Sequence, residues 1–214
     1  MCVISTHTPF EDMLNEPDRI FERIAKVGCE YVAIPWLNKG TALTQENMEG
    51  TIAQIIHVGK KAKEKGLILL YHNHDFEFKK IDGEYILDRI YREVPKEYLQ
   101  TQLDTCWIKV GGEDPADYIR KYAGRAPLVH LKDYTGSATG NLYGLLGCKN
   151  EEQEMDGDFS FKPVGYGVQN MKSILEASEA AGAKWVVVEQ DESLDIPALE
   201  AAAMSRKYLK SLGW

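Results

Sequence analysis

Six apolar runs in this chain stop on polar residues, and a short unit recurs around them: helical stretch, glycine, buried strand, polar tip. The runs are residues 2–7 (CVISTH), 31–36 (YVAIPW), 67–74 (LILLYHNH), 99–107 (LQTQLDTCW), 127–133 (PLVHLKD) and 185–192 (WVVVEQDE). Segments such as RIAKVGCEYVAIPWL, KKAKEKGLILLYHNH and EASEAAGAKWVVVEQD carry the whole unit. Alternation of helix and strand predicts a parallel sheet, whose strands read as unbroken apolar runs because helices cover them. Such sheets collect their active sites at the carboxyl ends of the strands. Those ends carry His7, His72, His74, Asp104, His130, Lys132, Asp133, Glu189, Gln190 and Asp191, which include four of the five histidines.

At 214 residues with 44% hydrophobic content the chain is the size of one large α/β domain, and a single domain over 1–214 is expected. A net charge of −8, without a basic block, argues against nucleic acid as a partner. No run approaches the ~20 apolar residues that span a bilayer, and no charged leader precedes an apolar segment, so a soluble, cytoplasmic protein is expected. The cysteines at 2, 29, 106 and 148 are too scattered for a close-spaced zinc or redox motif and are expected as free buried thiols.

Three- and four-residue apolar spacing predicts helices at about 16–28, 44–66, 84–92, 114–123, 168–182 and 195–212. Asp114-Pro115 and Ile196-Pro197 place proline in a first helical turn, and Gly28, Gly66, Gly124 and Gly182 stand where helices end. Residues 135–167, rich in glycine and acid, leave a strand tip as a long loop, expected as a lid or substrate wall, with disorder as the alternative. A short seventh strand is expected at 163–167. An eightfold barrel needs one more strand, and the chain opens directly inside one, so the first strand-helix unit is expected to be missing. The open edges at 2–7 and 185–190 then predict a homo-oligomer or a poorly stable monomer.

Asp104, His130 and Glu189 end three different strands, and barrel closure brings them together above the core. Carboxylate oxygen with imidazole nitrogen suits Mn2+, Mg2+, Co2+, Zn2+ or Fe2+. Each of these residues taken alone is more often a helix cap or a loop anchor at a strand end. The convergence of three is what points to metal.

These motifs resemble the xylose-isomerase-like sugar isomerases and epimerases, which fold as a (β/α)8 TIM barrel related to endonuclease IV. YHNHDFEF (71–78), LDTCWIKVGGEDPADYI (103–119), VHLKDY (129–134) and WVVVEQDE (185–192) carry the resemblance. It is greatest to the branch with HNHDFEF, near inosose dehydratases, hydroxypyruvate isomerases and 3-keto-glycoside enzymes. The family's epimerases hold their metal with a Glu, an Asp, a His and a second Glu. The resemblance puts the Asp on Asp104, the His on His130 and the last Glu on Glu189. The first Glu belongs to a Glu-Asn-His motif that here reads His72-Asn73-His74. An imidazole from His72 can replace that carboxylate as a ligand, but it removes one of the two carboxylates used for proton transfer.

The resemblance implies proton abstraction beside a carbonyl of a keto sugar or polyol, the metal polarising its oxygens so that an enediolate forms. Isomerisation, epimerisation and β-elimination all remain open, as does a non-catalytic sugar-binding remnant; a metal-dependent nuclease is disfavoured by the acidic charge. Glu189 is the expected base. Lys132, two residues beyond His130, points the same way and stabilises an enolate oxygen, or else pairs with Asp104 or Glu189. His74 shares a face with His72 and joins the catalytic set. His7, Trp36, Trp107 and Glu77 are the expected substrate contacts: a histidine for a hydroxyl, two rings for sugar faces, and a carboxylate returning over the site.

Overall fold

The computed structural model of this chain describes residues 2–37, 43–137, 158–193 and 195–214. Its elements run β1 (Ser5–His7), α1 (Phe10–Asn15), α2 (Pro17–Val27), β2 (Tyr31–Ile34), α3 (Gln45–Glu64), β3 (Ile68–His72), β4 (Lys80–Ile81), β5 (Glu84–Tyr85) and α4 (Ile86–Glu93). They continue with β6 (Gln100–Asp104), α5 (Thr105–Val110), α6 (Pro115–Lys121), β7 (Leu128–Leu131), β8 (Asp133–Thr135), β9 (Ser160–Lys162), α7 (Met171–Ala180), β10 (Trp185–Val188) and α8 (Ala198–Ser211).

Six strands form one sheet in the order β1-β2-β3-β6-β7-β10, and every pairing in it is parallel. The sheet is curled. β1 and β7 stand four places apart in that order, about 19 Å on a flat sheet at ~4.8 Å per strand. Yet the rings of His7 on β1 and His130 on β7 lie 5.6 Å apart. Six parallel strands curled so far, with helices outside, are the wall of a (β/α)8-type barrel.

Strand alternation sorts the side chains. Val32, Ile34, Leu69, Tyr71, Leu103, Val129 and Leu131 face outward into the main core beneath the helices. Their neighbours Tyr31, Ala33, Leu70 and Leu128 face inward and fill the barrel's lower half. Further along the same inward rows come His72, Gln102, Asp104, His130 and Lys132, all buried. The change from apolar to polar along one face therefore defines the top of the barrel as the chemical end. Local signals set the helices that return the chain: Pro17 begins α2 and Gly28, at φ 85°, ends it. Asp114 caps α6 by accepting from Asp117 N–H at 3.1 Å.

Several expected boundaries move. The run at 99–107 is a strand only to Asp104, whose carboxylate accepts the Trp107 N–H and turns the chain into α5. Short α1 and the hairpin of β4 and β5, turned by Asp82 and Gly83 at positive φ, were not signalled by periodicity. The seventh strand expected at 163–167 does not form: that segment is a turn, α7 begins at Met171, and β7 pairs directly with β10. Its backbone donors are satisfied by a side chain instead of a ladder. Asp133 accepts from the N–H groups of Gly165, Gly167 and Gln169 at 3.0–3.1 Å. β8 and β9 close the two ends of the 135–167 excursion into an antiparallel ribbon, and residues 138–157, the bulk of the expected lid, lie outside the described residues.

β1 and β10 end the sheet among the described residues, each pairing on one side only. Trp185 and Val188 on β10 are exposed, whereas β2 and β7 are buried throughout. Cys29 and Cys106 are buried free thiols as expected, Cys2 is exposed, and Cys148 lies outside the described residues. Among the described residues no helix is long and apolar enough to cross a membrane.

The approach of α3 to the 95–98 turn leaves no room for a side chain at Gly59, where a Cβ would lie 2.2 Å from the Tyr98 carbonyl oxygen. Gly59→Ala is therefore expected to destabilise the fold by about 1–3 kcal/mol, despite alanine's better helix propensity. Urea unfolding should show a lower midpoint with unchanged slope; an unchanged or raised midpoint would contradict this close packing.

Candidate metal centre and active site

Four side chains from four strand ends converge at the top of the barrel. One ligand atom each from His72, Asp104, His130 and Glu189 lies within 4.8 Å of all the others, and His7, His72 and His130 meet the same condition. Asp104 Oδ1 caps α5 at 3.0 Å from the Trp107 N–H, which turns Oδ2 toward the barrel axis. There Oδ2 is buried with the Lys132 ammonium as its polar neighbour, 3.1 Å away, while His72 Nδ1 is buried with no hydrogen-bond partner among the described residues. A buried polar atom left unpaired is costly. A divalent cation would satisfy the imidazole nitrogen and use the remaining capacity of the carboxylate, so the residues fit a metal.

Lys132 is the other charge in the site. Its ammonium is 1% exposed and stands 3.1 Å from Asp104 Oδ2, 3.3 Å from Glu189 Oε2 and 2.9 Å from Asp191 Oδ2. It also lies over the rings of Trp107 and Phe161, at 5.4 and 5.7 Å. Burial works against the charged amine, but the three carboxylates outweigh it and raise its pKa. Thr105 fastens the strand ends beneath, accepting from Lys132 N–H at 3.1 Å and donating to the His130 carbonyl at 3.0 Å. Asn73 ties β3 to β6 by accepting from Asp104 N–H at 3.0 Å.

The two carboxylates at the centre are pushed apart. Burial raises Asp104 to about 7, against the pull of Lys132. Burial pushes Glu189 the same way, but the charge and hydrogen bond of His130, at 2.5 Å from Oε2, hold its carboxyl well below the usual range. Burial lowers His72 well below its ordinary 6.5, and burial with the Lys132 charge brings His74 down to about 3, so both are neutral imidazoles.

A cavity of about 200 Å³ opens over this centre, lined by His7, Pro35, Trp36, His72, His74, Lys132, Glu189 and Asp191. His74 packs between Trp36, at 5.6 Å, and Phe76, at 5.4 Å. Trp107 is fully buried under Lys132 and does not line the cavity. Glu77 does not line the cavity and is turned toward the core beneath the helices: its carboxylate accepts from the Tyr71 hydroxyl and, at 2.8 Å, from His74 N–H. Asp191 and Gln102 join the site without having been singled out for it. The signal was available, since each lies two residues from a carboxylate already chosen and so shares its face.

A family model described as "Xylose isomerase-like TIM barrel" matches residues 11–212, and the chain belongs to that family. An inosose dehydratase of Geobacillus thermodenitrificans (strain NG80-2) is 29% identical over 186 residues, 82% of this chain and 58% of that protein. The chain thus spans less than two thirds of such relatives. A sugar phosphate isomerase/epimerase from Parabacteroides distasonis ATCC 8503 superposes with TM-score 0.77 at 18% identity, covering 98% of this chain and 76% of that one. The IOLI protein, solved with a zinc atom, superposes with TM-score 0.66 at 16% identity, covering 95% and 73%.

Asp104→Ala is expected to abolish retention of a divalent cation, measured by elemental analysis after loading and gel filtration, and to destabilise the fold through the lost helix cap and the lost partner of buried Lys132. Wild-type metal content in that variant would remove Asp104 from the ligand set.

Burial pushes Glu77 up to about 8 from 4.5, its hydrogen bonds from Tyr71 and His74 opposing. Because the folded state holds this proton more tightly, its stabilisation is full below about 4.5 and is lost as pH rises through about 8. Wild type should therefore lose on the order of a few kcal/mol relative to Glu77→Gln across that interval. Parallel pH dependences for the two proteins in thermal unfolding would show that Glu77 does not take up a proton on folding.

Proposed function

We propose that this chain carries a metal-assisted active site that abstracts a proton beside the carbonyl of a small keto sugar or keto polyol, and that the reaction ends in loss of water. The observation that carries the reading is the Glu189 carboxylate. It lines the cavity, is held ionised by His130, and stands 3.3 Å from the buried Lys132 ammonium. A base beside a fixed cation is what enolisation requires, since negative charge grows on an oxygen as the C–H bond breaks.

The cavity volume of about 200 Å³ is small beside the ~300–1,000 Å³ of pockets for drug-sized ligands, which suits a single sugar or cyclitol ring. Trp36 and Pro35 supply an apolar wall for a ring face, while His74 and Asp191 meet hydroxyls. A divalent cation held by His72, Asp104, His130 and Glu189 would supply Lewis acidity toward the carbonyl and neighbouring hydroxyl oxygens. Glu189 takes the proton, and Lys132 stabilises the developing oxyanion from a site that Trp107 and Phe161 keep dry.

Where the family's first carboxylate would stand there is His72, so one carboxylate serves one face of the substrate. Having taken the proton, Glu189 returns it on that same face, either to the departing hydroxyl, releasing water, or to the adjacent carbon, completing an isomerisation. Epimerisation, which moves a proton from one face to the other, is served poorly by this arrangement. The likeness to inosose dehydratases supports elimination over isomerisation. Buried free Cys29 and Cys106 suit a reducing, cytoplasmic setting, and the one-sided edges of β1 and β10 suit a homo-oligomer.

Incubating the metal-loaded protein with an inosose or a simple ketose in D2O tests this. Wild type should exchange the α-hydrogen, followed by NMR, and release a product lighter by one water. Glu189→Gln should lose on the order of 10²–10⁴ in exchange rate, and Lys132→Met about 10²–10³ in turnover. Exchange at the wild-type rate in Glu189→Gln would remove Glu189 as the base; isomer without water loss would assign isomerisation instead.

A further inference from the structure

We infer that His7 is a metal ligand in its own right, so that His72, His130 and His7 present three imidazoles to one cation and the centre selects zinc- or cobalt-like ions over magnesium. The inference rests on the metal centre proposed above and deepens it. His7, His72 and His130 come from β1, β3 and β7, and one nitrogen of each lies within 4.8 Å of the other two. Their ring centroids form a triangle of 4.8, 4.9 and 5.6 Å. This set shares His72 and His130 with the set that includes Asp104 and Glu189. A cation held between the two shared rings is within reach of the His7 ring as well.

Hydrogen bonding fixes which nitrogens are offered. His7 Nε2 is 2.5 Å from Gln102 Oε1, an acceptor, so this nitrogen carries the proton and Nδ1 keeps the lone pair. Gln102 is in turn buried, with its amide nitrogen 3.5 Å from Ser5 Oγ. His130 is held in the same manner, Nδ1 against Glu189 Oε2 at 2.5 Å. A ligating histidine characteristically donates its second ring N–H to an oxygen acceptor that fixes its tautomer and orientation. Both rings already have that partner. His72 Nδ1, buried beside them, has no hydrogen-bond partner among the described residues.

Charge decides the selectivity. The centre's two carboxylates, Asp104 and Glu189, are both engaged by the Lys132 ammonium, at 3.1 and 3.3 Å. Their attraction for a hard dication is offset accordingly. Magnesium draws its affinity from charged oxygen ligands and gives up water reluctantly. Imidazole nitrogen favours zinc, cobalt, nickel and iron(II). With the oxygens shared and three imidazoles available, affinity has to come from nitrogen. His7 lies on an exposed edge strand and lines the cavity mouth, so an arriving ion meets it early.

Titration of the full chain with ZnCl2, CoCl2 and MgCl2 separately, by calorimetry, tests the selectivity, and X-ray absorption of the zinc-loaded protein counts imidazoles. Wild type should bind zinc and cobalt at least ~100-fold tighter than magnesium and show three imidazoles. His7→Ala should lose at least ~10-fold in zinc affinity and show two imidazoles. Gln102→Leu, which keeps the ring but removes its acceptor, should weaken zinc on the order of 10-fold. Two imidazoles in wild type, or unaltered zinc affinity in His7→Ala, would overturn the assignment, and the wild-type count decides even if a variant misfolds. Asp104→Ala separates the two readings: if it loses zinc while His7→Ala does not, only the His7 assignment falls. If wild type binds none of the three ions, the metal centre itself falls, and this assignment with it.

Discussion

The buried ammonium of Lys132 is the interaction on which the top of the barrel depends. A cation at 1% exposure is tolerable only where opposite charge is brought to it. Here β6 delivers Asp104, and the tip of β10 delivers Glu189 and Asp191. Three separate strand ends are thereby held to one point, with Trp107 and Phe161 closing the sides. The Lys132 charge adds to the His130 contact that holds Glu189 ionised and to the burial that keeps His74 neutral.

Curling of the sheet is what makes this possible. His7 and His130 belong to strands four places apart, yet their rings are 5.6 Å from one another. The inward rows of the strands change from Tyr31, Ala33, Leu70 and Leu128 to histidine, acid and lysine at one level. Below that level the barrel is an apolar core, and above it a polar cavity. Asp133 belongs to neither: it gathers the N–H groups of a turn, while β7 pairs with β10.

The departure from the family's ligand pattern reaches beyond one residue. Histidine at 72 removes a negative charge from a centre whose two remaining carboxylates are already shared with Lys132. In the proposed metal centre the balance of ligands moves from oxygen toward nitrogen, and in the proposed reaction one carboxylate is left for proton transfer. Both changes follow from one substitution in one motif. This is why kinship alone leaves the reaction open among isomerisation, epimerisation and elimination.

Much of this was legible in the chain. Unbroken apolar runs ending in polar residues, with glycines between helix and strand, specify parallel strands and put the chemistry at their carboxyl ends, because hydrophobic patterning is local. The grouping of Asp104, His130 and Glu189 followed from those endings, and the family resemblance added His72 to it. Tertiary structure decided the rest. A carboxylate that caps a helix ended the strand at Asp104, and another that gathers turn donors removed the strand expected at 163–167. Glu77 reads as an available acid in the sequence but lies buried against Tyr71, away from the cavity, since the direction of a turn depends on what it packs upon. That His7 meets His72 and His130 depends on sheet curvature, a sum over many strand twists that no single segment of sequence contains.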